Sequence, residues 1–267
     1  MGYCGDPSHS LTDKTRSESK HSAHINPRGM DNPFVSILTP TYNRRKFIPI
    51  IIKCFLEQTY PKNRMEWLIL DDGSDSVEDI FKAHAKELPM VRYIREPTKQ
   101  TIGSKRNRLN REAKGDILIA MDDDDYYPPE RVAHVVRKFK QNPTIELAGA
   151  SEVYMYYTDI KTIYKLGPYH ANHATNGTMA WRRSYALSHT YDDTVTHAEE
   201  RSFLDDYKNP LIQLDPRKVM LVFAHSENTY NKTAMREQES PFVKKTPMKM
   251  RDFIRNAEIR AFFAGLA

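Results

Sequence analysis

Two cysteines, Cys4 and Cys54, are too few to build a disulfide framework or a zinc site in a chain of 267 residues. Cys54 lies in an apolar stretch and reads as a small core residue, which fits a reducing, intracellular setting. No apolar run approaches the ~18 residues of a membrane-spanning helix. The N-terminus lacks the apolar core of a secretory signal. Met1-Gly2 begins like a myristoylation site, but Asp6 stands where that motif needs Ser or Thr. The expectation is a soluble, cytoplasmic protein. Glycine fingerprints are missing as well: neither G-x-G-x-x-G nor a P-loop occurs, which argues against an ordinary dinucleotide fold. Nor does one sign of charge dominate. Forty basic residues against 35 acidic ones leave +5, a surplus that suits anionic ligands such as nucleotides without marking a nucleic-acid protein.

What is present is a core-forming composition, 39% hydrophobic, with 16 prolines that promise many turns. Residues 1–32, rich in Ser, His, Lys and Asp, read as a flexible extension. From Pro33 strands and helices alternate: strands at Phe34–Leu38, Glu66–Leu70, Val91–Ile94 and Asp116–Met121, with helices at Phe47–Gln58, Ser76–Glu87 and Gly103–Ala113 between them. Ser76 with Asp79 is expected to cap the second helix. This spacing predicts a mostly parallel, layered α/β sheet. Beyond Pro143 the texture changes to short strands at Ile145–Ala150, Val153–Tyr157 and Thr162–Leu166, an antiparallel or mixed half. Short helices at Ala180–Leu187 and Glu199–Tyr207 follow, then a strand at Lys218–Phe223. A basic amphipathic helix over Met248–Phe263 is expected to pack on the domain rather than on a membrane. The expected division is a domain over 33–232, with halves 33–143 and 144–232, and a helical tail over 233–267.

The most informative stretch is Ile117–Tyr127, ILIAMDDDDYY. A short apolar run entering four aspartates is a buried strand whose carboxyl end carries acid, and open α/β sheets bind ligands at that end. Carboxylates so close repel one another, so they need a counter-cation, raised pKa values or water. Mg²⁺ answers that need through oxygen ligands, typically one or two carboxylates plus phosphate. A solvated acidic turn, with Asp125 capping the helix opened by Pro128 and Pro129, is the competing reading.

Three segments in order, VSILTPTYNR, LILDDGSD and IGSKRNRLNREAKGDILIAMDDDDYYPPERV, resemble the nucleotide-sugar half of family 2 glycosyltransferases of GT-A fold. The resemblance covers roughly Pro33 to Ser226 and is stronger in its first half. It implies a Rossmann-like layered mixed sheet flanked by helices, with a smaller antiparallel acceptor-side half. It also implies that Pro40, Thr41, Tyr42 and Asn43 line the nucleoside pocket, with Tyr42 stacked on the base and Asp72 accepting from it. Lys105 and Arg106 would lie near the donor, Arg106 in the family's Arg-Asn pair, whereas Arg108 and Arg111 read as a solvated face. The Asp-x-Asp motif maps onto Asp122-Asp123-Asp124. Asp124 becomes the metal ligand and Asp122 reaches the ribose or metal waters, with Asp123 and Asp125 as the register's alternatives. Gly177 and Thr178, in Asn176–Arg183, match the floor of the donor-sugar site. His197-Ala198-Glu199-Glu200-Arg201 matches an acidic pair whose second member is the general base, here Glu200, with Glu199 as the other possibility. Two acids at a helix N-terminus are also favoured by the dipole alone. His225 is a candidate third metal ligand or a structural histidine.

The resemblance therefore implies an inverting glycosyltransferase that uses Mn²⁺ or Mg²⁺. It would move a sugar from a nucleoside-diphosphate sugar, taken to be a UDP-sugar, to a hydroxyl of a glycan or glycoconjugate. A sugar nucleotidyltransferase is the enzymatic alternative, but its glycine- and arginine-rich first loop is missing. A nucleic-acid or other anion-binding module is the alternative outside enzymes, and it leaves the ordered Asp motifs unexplained.

Overall fold

Every residue of strands β1 (Val35–Thr41), β2 (Met65–Asp71) and β4 (Ile117–Ala120) is buried, and the alternation of their side chains shows why. Val35, Ile37, Trp67, Ile69, Ile117 and Ile119 enter one hydrophobic cluster, while Leu38, Leu68, Leu70, Leu118 and Ala120 enter another. Successive strand residues face opposite sides of a sheet, so a strand with apolar layers on both sides is mostly apolar, and its buried polar residues are paired, as Ser36 is with Glu66. Full burial of each such side chain contributes about 1.5–3 kcal/mol. The computed structural model describes residues 32–196, 198–228, 232–237 and 240–266, and these belong to one compact unit, Asn32–Ala267. The expected extension at 1–32 lies, apart from Asn32, outside the described residues.

Between the first strands run α1 (Ile48–Leu56), α2 (Glu78–Ala83), β3 (Val91–Arg95) and α3 (Ile102–Glu112). After β4 come α4 (Arg131–Gln141), β5 (Leu147–Gly149), β6 (Val153–Tyr157), β7 (Thr162–Leu166), β8 (Ala180–Arg182), α5 (Arg183–Ser188), α6 (Glu200–Phe203) and β9 (Leu211–Gln213). Then follow β10 (Leu221–Ala224), α7 (Ala234–Glu237), β11 (Val243–Lys245) and α8 (Ala257–Ala264). The main sheet has seven strands in the order β3-β2-β1-β4-β8-β5-β9; a second sheet has the order β10-β6-β7-β11. The strands β3, β2, β1 and β4 are parallel, and β8 enters antiparallel to both β4 and β5.

Several local expectations change. Ala180–Leu187 is not one helix, because Ala180 and Trp181 pair with Ile119 and Leu118 and close the gap between β4 and β5; pairing partners distant in sequence override local helix preference. The second helix starts at Glu78 rather than Ser76. Its first free N–H, at Val77, is held by the buried Asp71 carboxylate, and Asp79 turns to Arg45 instead. The helix expected over Glu199–Tyr207 ends at Phe203, after which Asp205, Asp206 and Tyr207 all take positive φ. The strand expected at Lys218–Phe223 is β10, shifted later because Asp215 caps a 3-10 turn over Pro216–Lys218. The tail helix is broken into a 3-10 turn at Met250–Asp252 and α8, which Asn256 caps through the N–H groups of Glu258 and Ile259. Ile254, Ile259 and Phe263 are buried with Phe47 and Phe223, so the apolar side of this tail lies in the core. No helix among the described residues is long and apolar enough to cross a membrane.

Candidate active site

The carboxyl ends of β1, β2 and β4 lie side by side, and proline helps to end the pairing there. Leu38 accepts from Met121 on the β4 side, so the absent N–H of Pro40, two residues on, falls on that same side, past the last β1–β4 pair Leu38–Ala120. Beneath this edge Thr39 Oγ1 donates to the Met121 carbonyl at 2.6 Å and accepts from Trp67 Nε1 at 2.8 Å, which locks β2, β1 and β4 together.

The four aspartates are not a solvated turn, and each has a different environment. Asp122 is partly exposed and accepts from Arg106 Nη1 at 3.0 Å; its own N–H donates to Tyr127 Oη at 2.7 Å. Asp123 is buried, and burial together with Asp124 pushes its pKa up. Burial acts against ionised Asp124 too, but Lys232, Arg44 and a hydrogen bond from Asn228 outweigh it and hold that carboxyl below its ordinary value. Asp125 is spent on structure: Oδ1 accepts the Phe223 N–H at 2.7 Å and ties the loop to β10, where Tyr126 and Leu221 also exchange backbone bonds. It does not cap α4, which begins at Arg131.

The counter-cation these acids require includes a residue that the sequence reading passed over. Arg44 stands 3.8 Å from Asp123 and 3.6 Å from Asp124, and its Nη1 donates to the Glu227 carbonyl at 2.7 Å. A signal was present, since Arg44 directly follows Tyr42-Asn43 at the end of β1 and four acids call for a cation nearby. Lys232, 3.9 Å from Asp125, is a second such residue.

Opposite the aspartates, α3 holds the segment 191–193, and Arg106 on α3 reaches Glu199 at the start of α6. Asn107 clamps the backbone of Tyr191 at both N–H and carbonyl, each at 2.8 Å. Arg106 is 93% buried and donates from Nε to Glu199 at 2.8 Å, so it joins Glu199 to Asp122. Burial alone would lower the Arg106 pKa, but Asp122 and Glu199 raise it instead. The Asn176 amide lies 2.8 Å from Tyr191 Oη and 2.9 Å from Arg106 Nη1; the orientation with its oxygen on the guanidinium satisfies both partners. Glu200 opens α6 and is half-buried; burial first, then the charge of Glu199, push its pKa up to about 7. His197 lies outside the described residues.

At the β1–β2 side, Asp72 is buried and holds Lys105 Nζ at 2.8 Å and the Gln100 N–H at 2.7 Å. Lys105 also donates to the Thr41 carbonyl at 3.3 Å. Tyr42 is 36% exposed, with Lys99 Nζ 4.3 Å from its ring centre. Asn43, at φ 54°, accepts from Ser74 Oγ and the Asp75 N–H and so joins the two turns. Arg108 pairs with Glu96, away from these residues.

The floor comes from the 3-10 turn Asn176–Thr178. A Cβ on Gly177 would stand 2.9 Å from Met220 Cε and 3.3 Å from Asp122 Oδ2, so glycine lets this backbone approach the acid. Thr178 is fully buried and its hydroxyl binds the Ala150 N–H and the Thr175 carbonyl, which leaves it no surface for a ligand. Arg131, fully buried, donates to the Met179 carbonyl at 2.9 Å and reaches those of Ala120 and Gly177 at 3.4 Å. It holds the floor to the end of β4, and burial pulls its pKa down to about 10.

Among the described residues no three His, Cys, Asp or Glu side chains form a ready metal cage. The donor set nonetheless fits a hard divalent cation completed by phosphate oxygens. Asp124 Oδ2 lies 3.7 Å from His225 Nε2, a separation that two ligands of one ion can have. Burial pulls His225 down to about 4, so its ring is neutral; Nδ1 accepts the Glu227 N–H at 3.2 Å and Nε2 lies 3.0 Å from Asn228 Nδ2, and ligating an ion through Nε2 means exchanging these contacts.

Comparison with known proteins bears on this arrangement. An uncharacterized glycosyltransferase of Haemophilus influenzae is 35% identical over 111 residues, 42% of this chain and 36% of that protein. The chondroitin synthase of Escherichia coli is 34% identical over 111 residues, 41% of this chain and 16% of its own length. The match thus spans about a third or less of these relatives. Among solved structures, S. aureus TarS 1-349 in complex with UDP-GlcNAc superposes with a TM-score of 0.61 at 16% identity, covering 73% of this chain and 60% of that one. Mannosyltransferase PcManGT from Pyrobaculum calidifontis, in complex with GDP-Man and Mn²⁺, gives 0.58 at 16% identity, with 79% and 66% covered. Identity so low speaks for the fold, a GT-A-type layered mixed sheet. The sequence profile described as Glycosyl transferase family 2 matches residues 36–194, more than half of the chain, and the protein belongs to that family.

Proposed function

We propose that this protein transfers a sugar, with inversion, from a UDP-sugar to a hydroxyl of a glycan or glycoconjugate. The observation that supports this most is the ion-pair bridge from Asp122, just past β4, through buried Arg106 to Glu199, the neighbour of Glu200. Tyr42, Lys105 and Asp72 frame the nucleoside end, and a base binds by stacking on the exposed Tyr42 ring. Asp72 holds its own partners, so its part in reading the base includes keeping Lys105 in place.

Asp124 and His225 would hold Mg²⁺ or Mn²⁺, with Asp122 beside them, and such an ion neutralises charge on the departing nucleoside diphosphate. The acceptor oxygen forms the new bond to the anomeric carbon as the bond from that carbon to the phosphate oxygen breaks. The bonding pair leaves with the nucleoside diphosphate, and Glu200 takes the acceptor's proton. A carboxyl held at about 7 can receive that proton near neutral pH and release it again. Gly177, at the floor, lets the donor sugar lie close to the backbone.

Nucleotide release measured across UDP-, GDP- and dTDP-sugars, with Mn²⁺ and with EDTA, tests the reading. UDP release that needs the cation is expected. Release from none of these donors would sink the proposal, and release only from a GDP- or dTDP-sugar would correct the base.

A further inference from the structure

Five rings from three separate segments gather beyond α6. His173 stacks on Tyr207 with centroids 5.2 Å apart and 24° between planes, and His170 meets both rings edge-on at 5.5 and 5.4 Å. Tyr169 lies 4.7 Å from His173 and 5.3 Å from Phe242. Tyr169 is 37% exposed and Phe242 41%, so part of this aromatic surface faces water. The loop beneath is anchored, because Gln213 Nε2 donates to the carbonyls of Ala171 and His173 at 2.7 and 3.1 Å. Burial, then His170, pull His173 down to about 4, which leaves an uncharged ring in the stack.

The backbone that presents Tyr207 is strained. Asp205, Asp206 and Tyr207 have φ of 48°, 53° and 60°, and a bulky residue at positive φ is a true outlier. Such strain persists where the surroundings over-determine it and clusters at functional sites. The same short stretch begins with Ala198 at φ 54° and carries Glu200. Glu200 is close enough to add to the effect of burial in raising the Tyr207 phenol.

We infer that the Tyr169–His173–Tyr207–Phe242 surface is a platform for a sugar ring of the acceptor. The inference rests on the transfer reaction proposed above. Its place in the chain decides the occupant: Tyr207 follows closely on α6, which Glu200 opens, and what lies beside the proposed base is the molecule whose hydroxyl is deprotonated. A pyranose has an apolar C–H face bounded by hydroxyls, and Tyr and His offer the matching surface, flat apolar rings with polar edges. The platform takes a carbohydrate ring by that face and leaves a hydroxyl at its rim for Glu200.

Saturation-transfer NMR with the methyl β-glycosides of glucose, galactose and N-acetylglucosamine, without donor, reads the platform directly. At least one glycoside should receive saturation on its ring C–H protons. Tyr207→Leu should weaken that binding by roughly tenfold, the scale of one aromatic contact, while Tyr207→Phe retains it. If Tyr207→Leu lowers the melting temperature, Phe242→Ala on the exposed rim provides the same reading and should also weaken binding. The inference is overturned if no glycoside binds the wild type, or if a natively folded ring-deletion variant binds unchanged. It is equally overturned if Tyr207→Leu instead dissociates a dimer in sedimentation. Failure of the transfer reaction would appear elsewhere, as absent nucleotide release from every donor.

Discussion

Arg106 donates to Asp122 from Nη1 at 3.0 Å and to Glu199 from Nε at 2.8 Å, so one buried guanidinium fixes the spacing between the end of β4 and the start of α6. A planar fork that aims separate N–H groups at separate carboxylates is a task lysine's point charge performs poorly. Arg106→Met strands two carboxylates, and breaking a buried pair costs about 3–5 kcal/mol. Because Asp122 is partly exposed, the lower part of that range is expected. Urea unfolding checks it, and Arg106→Lys should lose less. A variant Arg106→Met as stable as the wild type would show that the bridge holds nothing in place.

How far the sequence could be read follows from the distance over which each residue finds its partners. The strands β1, β2 and β4 were legible because burial on both faces leaves short, mostly apolar runs, unbroken in β4. The aspartates were legible because they directly follow such a run. The Arg106 bridge was not, since its partners lie 16 and 93 residues away and no periodicity connects them. Strand β8 was missed for the same reason: Trp181 is a strand residue only because Leu118 and Leu147 flank it. The break at Asn256 was readable, as Asn two residues before Glu258 is a capping signal.

Cation dependence should reside in Asp124. Calorimetry of UDP binding with Mn²⁺ should show a loss of more than about tenfold for Asp124→Asn, and EDTA should weaken the wild type to a similar degree. His225→Ala should fall in the same direction by less. Equal affinity of the wild type with Mn²⁺ and with EDTA would remove the cation from the proposal.

The fit of α3 against the segment 191–193 has no slack at Gly103. A Cβ there would stand 2.0 Å from the Asp192 carbonyl oxygen, a backbone atom that must move. Gly103→Ala should destabilise by about 1–3 kcal/mol, the usual cost of overpacking, and should slow transfer because the same loop leads into Glu199 and Glu200. Thermal melting and UDP release measured together check both effects. An unchanged melting temperature would mean that the loop yields freely.

The sharpest test is the pH dependence of the proposed base. Burial, reinforced by Glu199, pushes Glu200 up to about 7. A base works deprotonated, so kcat/KM should rise with pH through about 7 and level off above it. The linkage has the opposite sign for stability. A carboxyl whose folded pKa exceeds its unfolded one favours the protonated fold, so the wild type loses stability as pH climbs from the unfolded value through about 7. Glu200→Gln should abolish the rising limb, remove that loss, and lower kcat by on the order of a hundredfold to ten-thousandfold with donor affinity kept. Glu199→Gln should behave differently. It deprives Arg106 of a partner, so stability falls, and it removes the charge that helps to raise Glu200, so the limb moves to lower pH. Should Glu199→Gln lose the limb while Glu200→Gln keeps it, Glu199 is the base and the two roles exchange. Should both variants keep the wild-type limb and rate, the proton goes to a group outside this pair.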